Sequence, residues 1–368
     1  MRVIGDIGPY CLTSDGLREG PCIKDQSEEE SLGYGSFKFV YGPSAGGLLE
    51  SVGFEITTYG ESIEKINHLP YKGRQITLSG LTIGDALLRV ERINGAFTAS
   101  HSISFLQAIE SALEIEVPHD VVISRMAQLE LERIRNNLLV IQRVLESASF
   151  LVPSFLLLQQ IEEVNRAIAR SCGHRYFFGA NYPGGVRCEL KLPSLKISDI
   201  ERTLENRIFI DRLQGNGVVK DSFSIGPVAR ASGFKYDARL DSDFLAYRDF
   251  DLRIPTQDQG DAFSRILVRL EEIKESLRLL QELKVKPCSF TMKIRDGEGI
   301  GRVESPSGDL AYLTRVRSGH VERAYLLAPS KVNMRLFLKS MPGNIFTDFP
   351  FNWESFGIWI SELEVDLE

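Results

Sequence analysis

The chain has 368 residues, of which 43% are hydrophobic and 25% charged, so it has globular composition and enough length to bury a large core. A net charge of −7 with no basic block argues against a nucleic-acid partner. The longest apolar run, Phe150 to Leu158, is interrupted by Pro153 and Ser154 and falls far short of the ~20 residues of a membrane-spanning helix.

Residues 1–36 hold Gly5, Gly8, Pro9, Gly16, Gly20, Pro21 and the acidic cluster Glu28-Glu29-Glu30, and read as an irregular extension. Met1 to Ile7 lacks the apolar core of a secretory signal. Strand patterning starts at Phe37-Lys38-Phe39-Val40, turns at Gly42-Pro43-Ser44-Ala45-Gly46-Gly47 and resumes through Thr58, predicting a small sheet over 37–80. Helical periodicity begins near Thr82 and runs through Leu87, Val90, Ile93 and Phe97 to Leu113. A long helix follows Pro118, with Val122, Met126, Leu129, Ile134, Leu138, Ile141 and Leu145 on its apolar face. Another is expected from about Pro153 to Ser171. These open a helical core over 81–290, with a mixed region inserted at about 173–255. In that region Leu195–Leu213 reads as a helix and Asp221–Arg239 as a loop. The helix at Asp261–Leu283 carries an apolar stripe from Phe263 to Leu280. After Pro287 strands return at 289–294, 310–316 and 323–327, within a C-terminal region 291–368 whose tail returns to the core. The fold class is therefore α+β: a long central helix bundle with small flanking sheets.

Cys11, Cys22, Cys172, Cys188 and Cys288 are odd in number and contain no CxxC pair. Their spacing suggests neither a zinc site nor a disulfide framework, and a reducing cytosol fits best. No Walker loop or nucleotide glycine fingerprint is present.

On the 261–283 helix, Arg265, Arg269, Glu272 and Ser276 form one narrow polar stripe. It is either a solvated face or, in a buried helix, a set of arginines that need carboxylate partners. The loop Gly226-Pro227-Val228-Ala229-Arg230-Ala231-Ser232-Gly233 has a plain structural reading, a turn in which Arg230 holds a carboxylate.

Arg92-Ile93-Asn94-Gly95-Ala96-Phe97-Thr98-Ala99-Ser100-His101-Ser102 resembles the Arg-Ile-Cys-Gly-x-Cys-x-x-x-His-Ser motif of nickel-iron hydrogenase large subunits. Ser355-Phe356-Gly357-Ile358-Trp359-Ile360-Ser361-Glu362 is similar to that family's C-terminal Ser-Phe-Asp-Pro-Cys-x-x-Cys. The 226–233 loop, the Gly260–Arg269 segment, Glu130-Leu131-Glu132-Arg133-Ile134, Gly173-His174-Arg175, Pro183-Gly184-Gly185-Val186 and Glu304–Leu310 match further family elements in order. The resemblance spans about 37–368 and is nearer to the energy-converting hydrogenases and the 49-kDa-type subunit of respiratory complex I. It favours burial of the 261–283 polar stripe and places Arg230 against the buried site.

Four thiolates hold the metals in that family, and soft donors suit them. Here Asn94, Phe97, Trp359 and Glu362 stand at those positions, so no nickel-iron centre and no hydrogenase activity are expected. The 49-kDa-type subunit of complex I, which has also lost the ligands, binds a quinone through a turn histidine and a tyrosine. This chain has Ala45-Gly46 where the family's His-Pro stands, and Tyr71-Lys72-Gly73 for its His-Arg-Gly. His68, Tyr71 and His101 remain as candidate proton donors. For His101 the alternative is a helix residue that bonds a carboxylate or carbonyl.

The resemblance implies a cluster-free large subunit of a complex-I-like oxidoreductase, peripheral on the cytoplasmic face of a membrane. Its partners would be a small iron-sulfur subunit of the complex I kind, and other peripheral-arm and membrane subunits. Two readings stay open: a pocket for quinone or another electron acceptor, or a degenerate subunit that only clamps its partners. Rings of Phe97 and Trp359 packed shut would favour the clamp. A cleft faced by Asn94, His101, Arg230 or Glu362 would favour the pocket.

Overall fold

The computed structural model describes residues 2–22, 33–45, 50–71 and 73–368. Glu28 to Glu30, Gly46, Gly47 and Lys72, which the sequence reading singled out, lie outside them.

Where an irregular extension was expected, three short strands form an antiparallel meander: β1 (Val3–Ile7), β2 (Tyr10–Thr13) and β3 (Gly16–Glu19). The glycines that suggested irregularity supply its turns. Ile4, Ile7 and Leu12 pack on Ala311, Leu313 and Leu327, so the meander covers a C-terminal sheet. A second antiparallel sheet follows, of β4 (Ser36–Tyr41), β5 (Gly53–Tyr59) and β6 (Ser62–Leu69), and then β7 (Arg74–Ile76).

The helical stretch from Thr82 is interrupted. Thr82 caps α1 (Ile83–Val90) by accepting from the Asp85 N–H, and the chain then turns before α2 (Thr98–Ala112). α3 (His119–Ser147) and α4 (Leu151–Cys172) match the two expected long helices. The inserted region holds β8 (Asn181–Tyr182), β9 (Gly185–Val186), α5 (Ile197–Leu204), α6 (Arg207–Leu213), α7 (Gly226–Ala231) and α8 (Ala238–Asp241). The single helix expected over 195–213 is thus two, because Asn206 Oδ1 accepts the Ile208 and Phe209 N–H groups and starts a new helix. The expected loop at 221–239 contains two short helices.

α9 (Ala262–Glu282) completes the bundle, capped by Asp261 Oδ1 on the Ser264 N–H at 2.7 Å. β10 is confined to Cys288–Ser289, shorter than the expected 289–294 strand. β11 (Gly297–Ser305), β12 (Gly308–Arg317) and β13 (His320–Leu327) form an antiparallel sheet. α10 (Pro329–Ser340), α11 (Phe349–Phe356), α12 (Ile360–Leu363) and β14 (Val365–Leu367) end the chain. β14 pairs in parallel with β7, which fastens the C-terminus beside the first-motif region.

β11 escaped the sequence reading because its glycines hide a strand pattern. Gly297, Gly299 and Gly301 alternate, so they share one face of the strand, and that face meets the backbone of α2. A side chain there would hold the helix away.

Two cysteine pairs are bonded, Cys11–Cys22 and Cys172–Cys188, leaving Cys288 free. This corrects the expectation of no disulfides. Spacing carried no signal because hairpin and helix-end geometry, not a motif, brings each pair together. The bonds also remove the cysteine argument for a reducing compartment.

Candidate functional site

The turn between α1 and α2 builds the first half of the site. Asn94 has extended backbone, and its Oδ1 accepts the Ala96 N–H at 2.9 Å, which ends helical continuity. Glu132 on α3 then accepts the free N–H groups of Ala99 and Ser100 at 2.7 and 2.9 Å. A carboxylate is well placed there, at the positive end of α2. Arg135, one turn along α3, donates to the Ala96 carbonyl. The motif backbone is therefore clamped by α3.

The C-terminal turn brings the second half. Glu362 Oε1 accepts from Asn94 Nδ2 at 3.0 Å and lies 3.2 Å from His101 Nε2, while its Oε2 accepts from Ser330 Oγ at 2.6 Å. The other His101 nitrogen, Nδ1, is 2.8 Å from the Tyr312 hydroxyl. Burial, reinforced by Glu362, raises the Tyr312 phenol well above its ordinary value, so it stays protonated and can donate. His101 and Glu362 are fully buried. Phe97 and Trp359 meet edge to face with ring centroids 5.8 Å apart. The four positions that replace the thiolates thus converge from opposite ends of the chain. They do not fit a nickel-iron centre: two are aromatic rings in contact that offer no metal-ligating lone pair, and the Glu362 carboxylate and Asn94 amide already bond one another. Among the described residues no group of three or more His, Cys, Asp or Glu side chains could hold a metal ion.

Replacing Glu362 with alanine leaves Asn94, His101 and Ser330 without their shared buried acceptor. The variant should lose about 2–3 kcal/mol in a urea unfolding curve, since a buried donor left unsatisfied costs about 1–3 kcal/mol. Unchanged stability would show that this network holds nothing together.

Arg230 is fully buried and belongs to a separate charge network. Its Nε donates to Glu272 Oε1 at 2.8 Å, and its Nη1 to Glu304 Oε1 at 2.8 Å and the Tyr236 carbonyl at 3.0 Å. Asp237 Oδ2 is 3.0 Å from the same Nη1. Burial alone would raise the Glu272 carboxyl, but Arg230 and Arg133 outweigh it and hold it below the usual range. Arg269 donates to Asn137 Oδ1 at 2.8 Å, and Arg265 to Ser355 Oγ at 2.9 Å. Ser276 bonds Glu130, which also takes Tyr247. The polar stripe of α9 is therefore buried and partnered, as the resemblance implied, rather than solvated.

His68 and Tyr71 lie elsewhere. His68 Nε2 is 3.5 Å from Glu364 Oε1, and burial lowers its pKa against the pull of that carboxylate. Tyr71 is exposed, and its backbone N–H is engaged with Glu364 Oε1 at 3.1 Å. Neither side chain lines the cleft that borders the former metal position.

That cleft, about 490 Å³, is walled by Asn94, Arg135, Arg143, Tyr176, Trp359 and Glu50 among others. Arg143 stacks over the Trp359 ring at 4.6 Å, and Arg135 over Tyr176 at 4.9 Å. Of the four residues expected to face an acceptor, Asn94 lines this cleft, and His101, Glu362 and Arg230 are buried and do not; Trp359, expected to help close the site, forms part of the cleft wall. The sequence reading missed Tyr312, Ser330, Arg135, Arg143 and Tyr176. Arg135 follows the matched Glu132-Arg133 element, and Ser330 lies in Ala328–Asn333, a further segment that matches the family, so both could have been suspected; the others carry no motif.

The architecture is an α+β fold of the complex I and hydrogenase-like large-subunit kind. Residues 149–287 match the family model described as respiratory-chain NADH dehydrogenase, 49 Kd subunit. A subunit of the NADH-quinone oxidoreductase of Solibacter usitatus is 28% identical over 289 residues, which cover 70% of this chain and 77% of that protein. A subunit of the NAD(P)H-quinone oxidoreductase of the Paulinella chromatophora organellar chromatophore is 29% identical over 317 residues, covering 79% and 77%. A chain from the structure of the membrane-bound sulfane sulfur reductase, an archaeal respiratory membrane complex, superposes with a TM-score of 0.80 at 20% identity, covering 91% of this chain and all of that one. These likenesses support the 49-kDa-type branch of complex I subunits as the group this chain is similar to.

Proposed function

We propose that this chain is the large, cluster-free subunit of a complex-I-like respiratory membrane complex. Electrons reach it from an iron-sulfur protein docked beside the former metal position. The acceptor, a quinone or another small oxidant, binds in the outer cleft rather than in the old metal cavity. No helix among the described residues is long and apolar enough to cross a membrane; in this reading, attachment to the membrane is through partner subunits. The observation that carries the proposal is the cleft between Arg135, Arg143, Tyr176 and Trp359, directly outside the Asn94 and Glu362 pair. Two guanidinium groups stacked on aromatic faces suit a planar acceptor that gains negative charge.

The competing reading, a subunit that only clamps its neighbours, is favoured by the contact of Phe97 with Trp359 and the burial of His101. Purification of the tagged chain from native membranes separates the two. The proposal expects a stoichiometric iron-sulfur partner, with acceptor reduction falling at least about tenfold in Tyr176→Ala or Arg143→Ala complexes that assemble normally. Tenfold corresponds to about 1.4 kcal/mol of lost transition-state stabilisation. Full activity in both variants would leave the clamp. A monomeric chain without partners would refute the assignment to a complex.

A further inference from the structure

A second acidic group lies behind the cleft, outside every contact described so far. Glu354 on α11 is only 4% exposed. Its Oε2 is 3.5 Å from Arg143 Nη1, and its Oε1 has no hydrogen-bond partner among the described residues. The same Arg143 nitrogen is 3.3 Å from Glu50 Oε1, and the other Glu50 oxygen accepts the Ile360 N–H at 2.9 Å. Glu146, one turn beyond Arg143 on α3, contributes a third carboxylate and takes Gln142 Nε2 at 2.8 Å. The other cations that reach α11 point away: Arg265 bonds Ser355 Oγ, Arg269 the Phe356 carbonyl, and Arg212 lies over the Phe351 ring.

Two carboxylates share one guanidinium and a third adds its field to Glu354, so the three cannot all ionise cheaply with one of them out of water. Glu354 is the innermost and has an unpartnered oxygen, so it is the one that keeps a proton. Glu50 and Arg143 both line the cleft, whereas Glu354 does not, so Glu50 stands between the buried acid and the solvent side. We propose that Glu354 is a proton-storing site for this cleft, exchanging its proton with cleft water by way of Glu50. The O–H bond of Glu354 breaks, an O–H bond forms on Glu50, and the proton then passes to water. The Glu354 carboxylate left behind faces Arg143, whose part is to position both acids. The exchange itself needs no electron acceptor; only its use in turnover rests on the function proposed above.

Burial, opposed by Arg143 and reinforced by Glu50 and Glu146, brings the Glu354 carboxyl up to about 7. Infrared pH titration of the full chain tests the site. Burial and Asp237 also bring the Glu304 carboxyl up to about 7, so the site is read in the native-minus-Glu354→Gln difference spectrum, where the carbonyl band of a protonated, buried carboxylic acid should appear and vanish with a midpoint of about 7. In Glu50→Gln, which removes a neighbouring negative charge, the midpoint should move toward the ordinary carboxyl range. The same band and midpoint in Glu354→Gln as in the native chain would overturn the assignment, as would a midpoint indifferent to Glu50→Gln. In the assembled complex, Glu354→Gln should flatten the pH profile of acceptor reduction near neutrality, and an unaltered profile would sink the storage role. Because the titration is read without acceptor, its failure is distinguishable from failure of the proposed function.

Discussion

Arg230→Met should be the most damaging single change in the buried charge network, lowering stability by about 3–5 kcal/mol in chemical denaturation. That is the usual penalty for removing one partner from a buried ion pair, and it is comparable with the whole stability of a marginal domain. The physical reason is what remains. Glu272, Glu304 and Asp237 all face Arg230 and are themselves buried. In the native chain Arg230 helps hold Glu272 and Asp237 below their unfolded pKa values. Their contribution is therefore present above the unfolded carboxyl range and is lost as pH falls through the folded values. Without Arg230 all three carboxyls move up, although Arg239 and Arg133 still oppose burial at Asp237 and Glu272, and Glu304 rises beyond the value of about 7 that burial and Asp237 already give it. The destabilisation should therefore be largest at and above neutral pH, where Glu304 must ionise without its arginine, and smaller in acid. Arg230→Lys restores charge but not the fork that reaches Glu272 and Glu304 together, so it should fall between the two. A methionine variant of native stability at neutral pH would show that the carboxylates do not depend on this arginine.

The second large effect is expected from adding one methyl group. Gly301→Ala would place a Cβ 2.0 Å from the Ser104 carbonyl oxygen and 2.5 Å from the Ala108 nitrogen, both backbone atoms of α2. Backbone in a helix cannot yield locally, so the whole helix must lift from β11. Overpacking typically costs about 1–3 kcal/mol and more where nothing can move, so a loss of about 3 kcal/mol or more is expected. The effect should also reach the site, because Gly301 is paired with Tyr312, which bonds His101 on α2. A crystal structure of the variant should show that 2.8 Å link lengthened. Gly95→Ala is the matched control, since a Cβ there meets nothing within 4 Å, and it should change stability by less than about 0.5 kcal/mol. Equal behaviour of the two alanine variants would discard the close-approach argument.

Much of the bundle was legible because long amphipathic helices advertise their period locally. Pro118, Asp261 and Thr82 lie at or next to the helix starts they signalled. The convergence of Asn94, Phe97, Trp359 and Glu362 was legible too, but only through resemblance, since no local physics links residues 268 apart. The N-terminal meander and β11 were not, because glycine erases the alternating pattern that marks a strand. The breaks at Asn94 and Asn206 were missed for a related reason: a side chain that caps a turn counts as an ordinary polar residue until the backbone around it is known.

By itself, then, the sequence determined that Asn94, Phe97, Trp359 and Glu362 stand where the resemblance sets four thiolates, because residue identity fixes donor chemistry wherever the chain goes. It also determined the helical framework and the need for Arg230 to find a carboxylate. Only the tertiary structure decided which carboxylates those are and that four cysteines pair. It alone shows that the rings of Phe97 and Trp359 meet edge to face and that Arg135, Arg143, Tyr176 and Trp359 wall a cleft beside them. Those outcomes depend on which faces of α3, α4, α11 and the C-terminal turn meet. Packing settles that choice through contacts between residues far apart in the chain, where no spacing rule reaches.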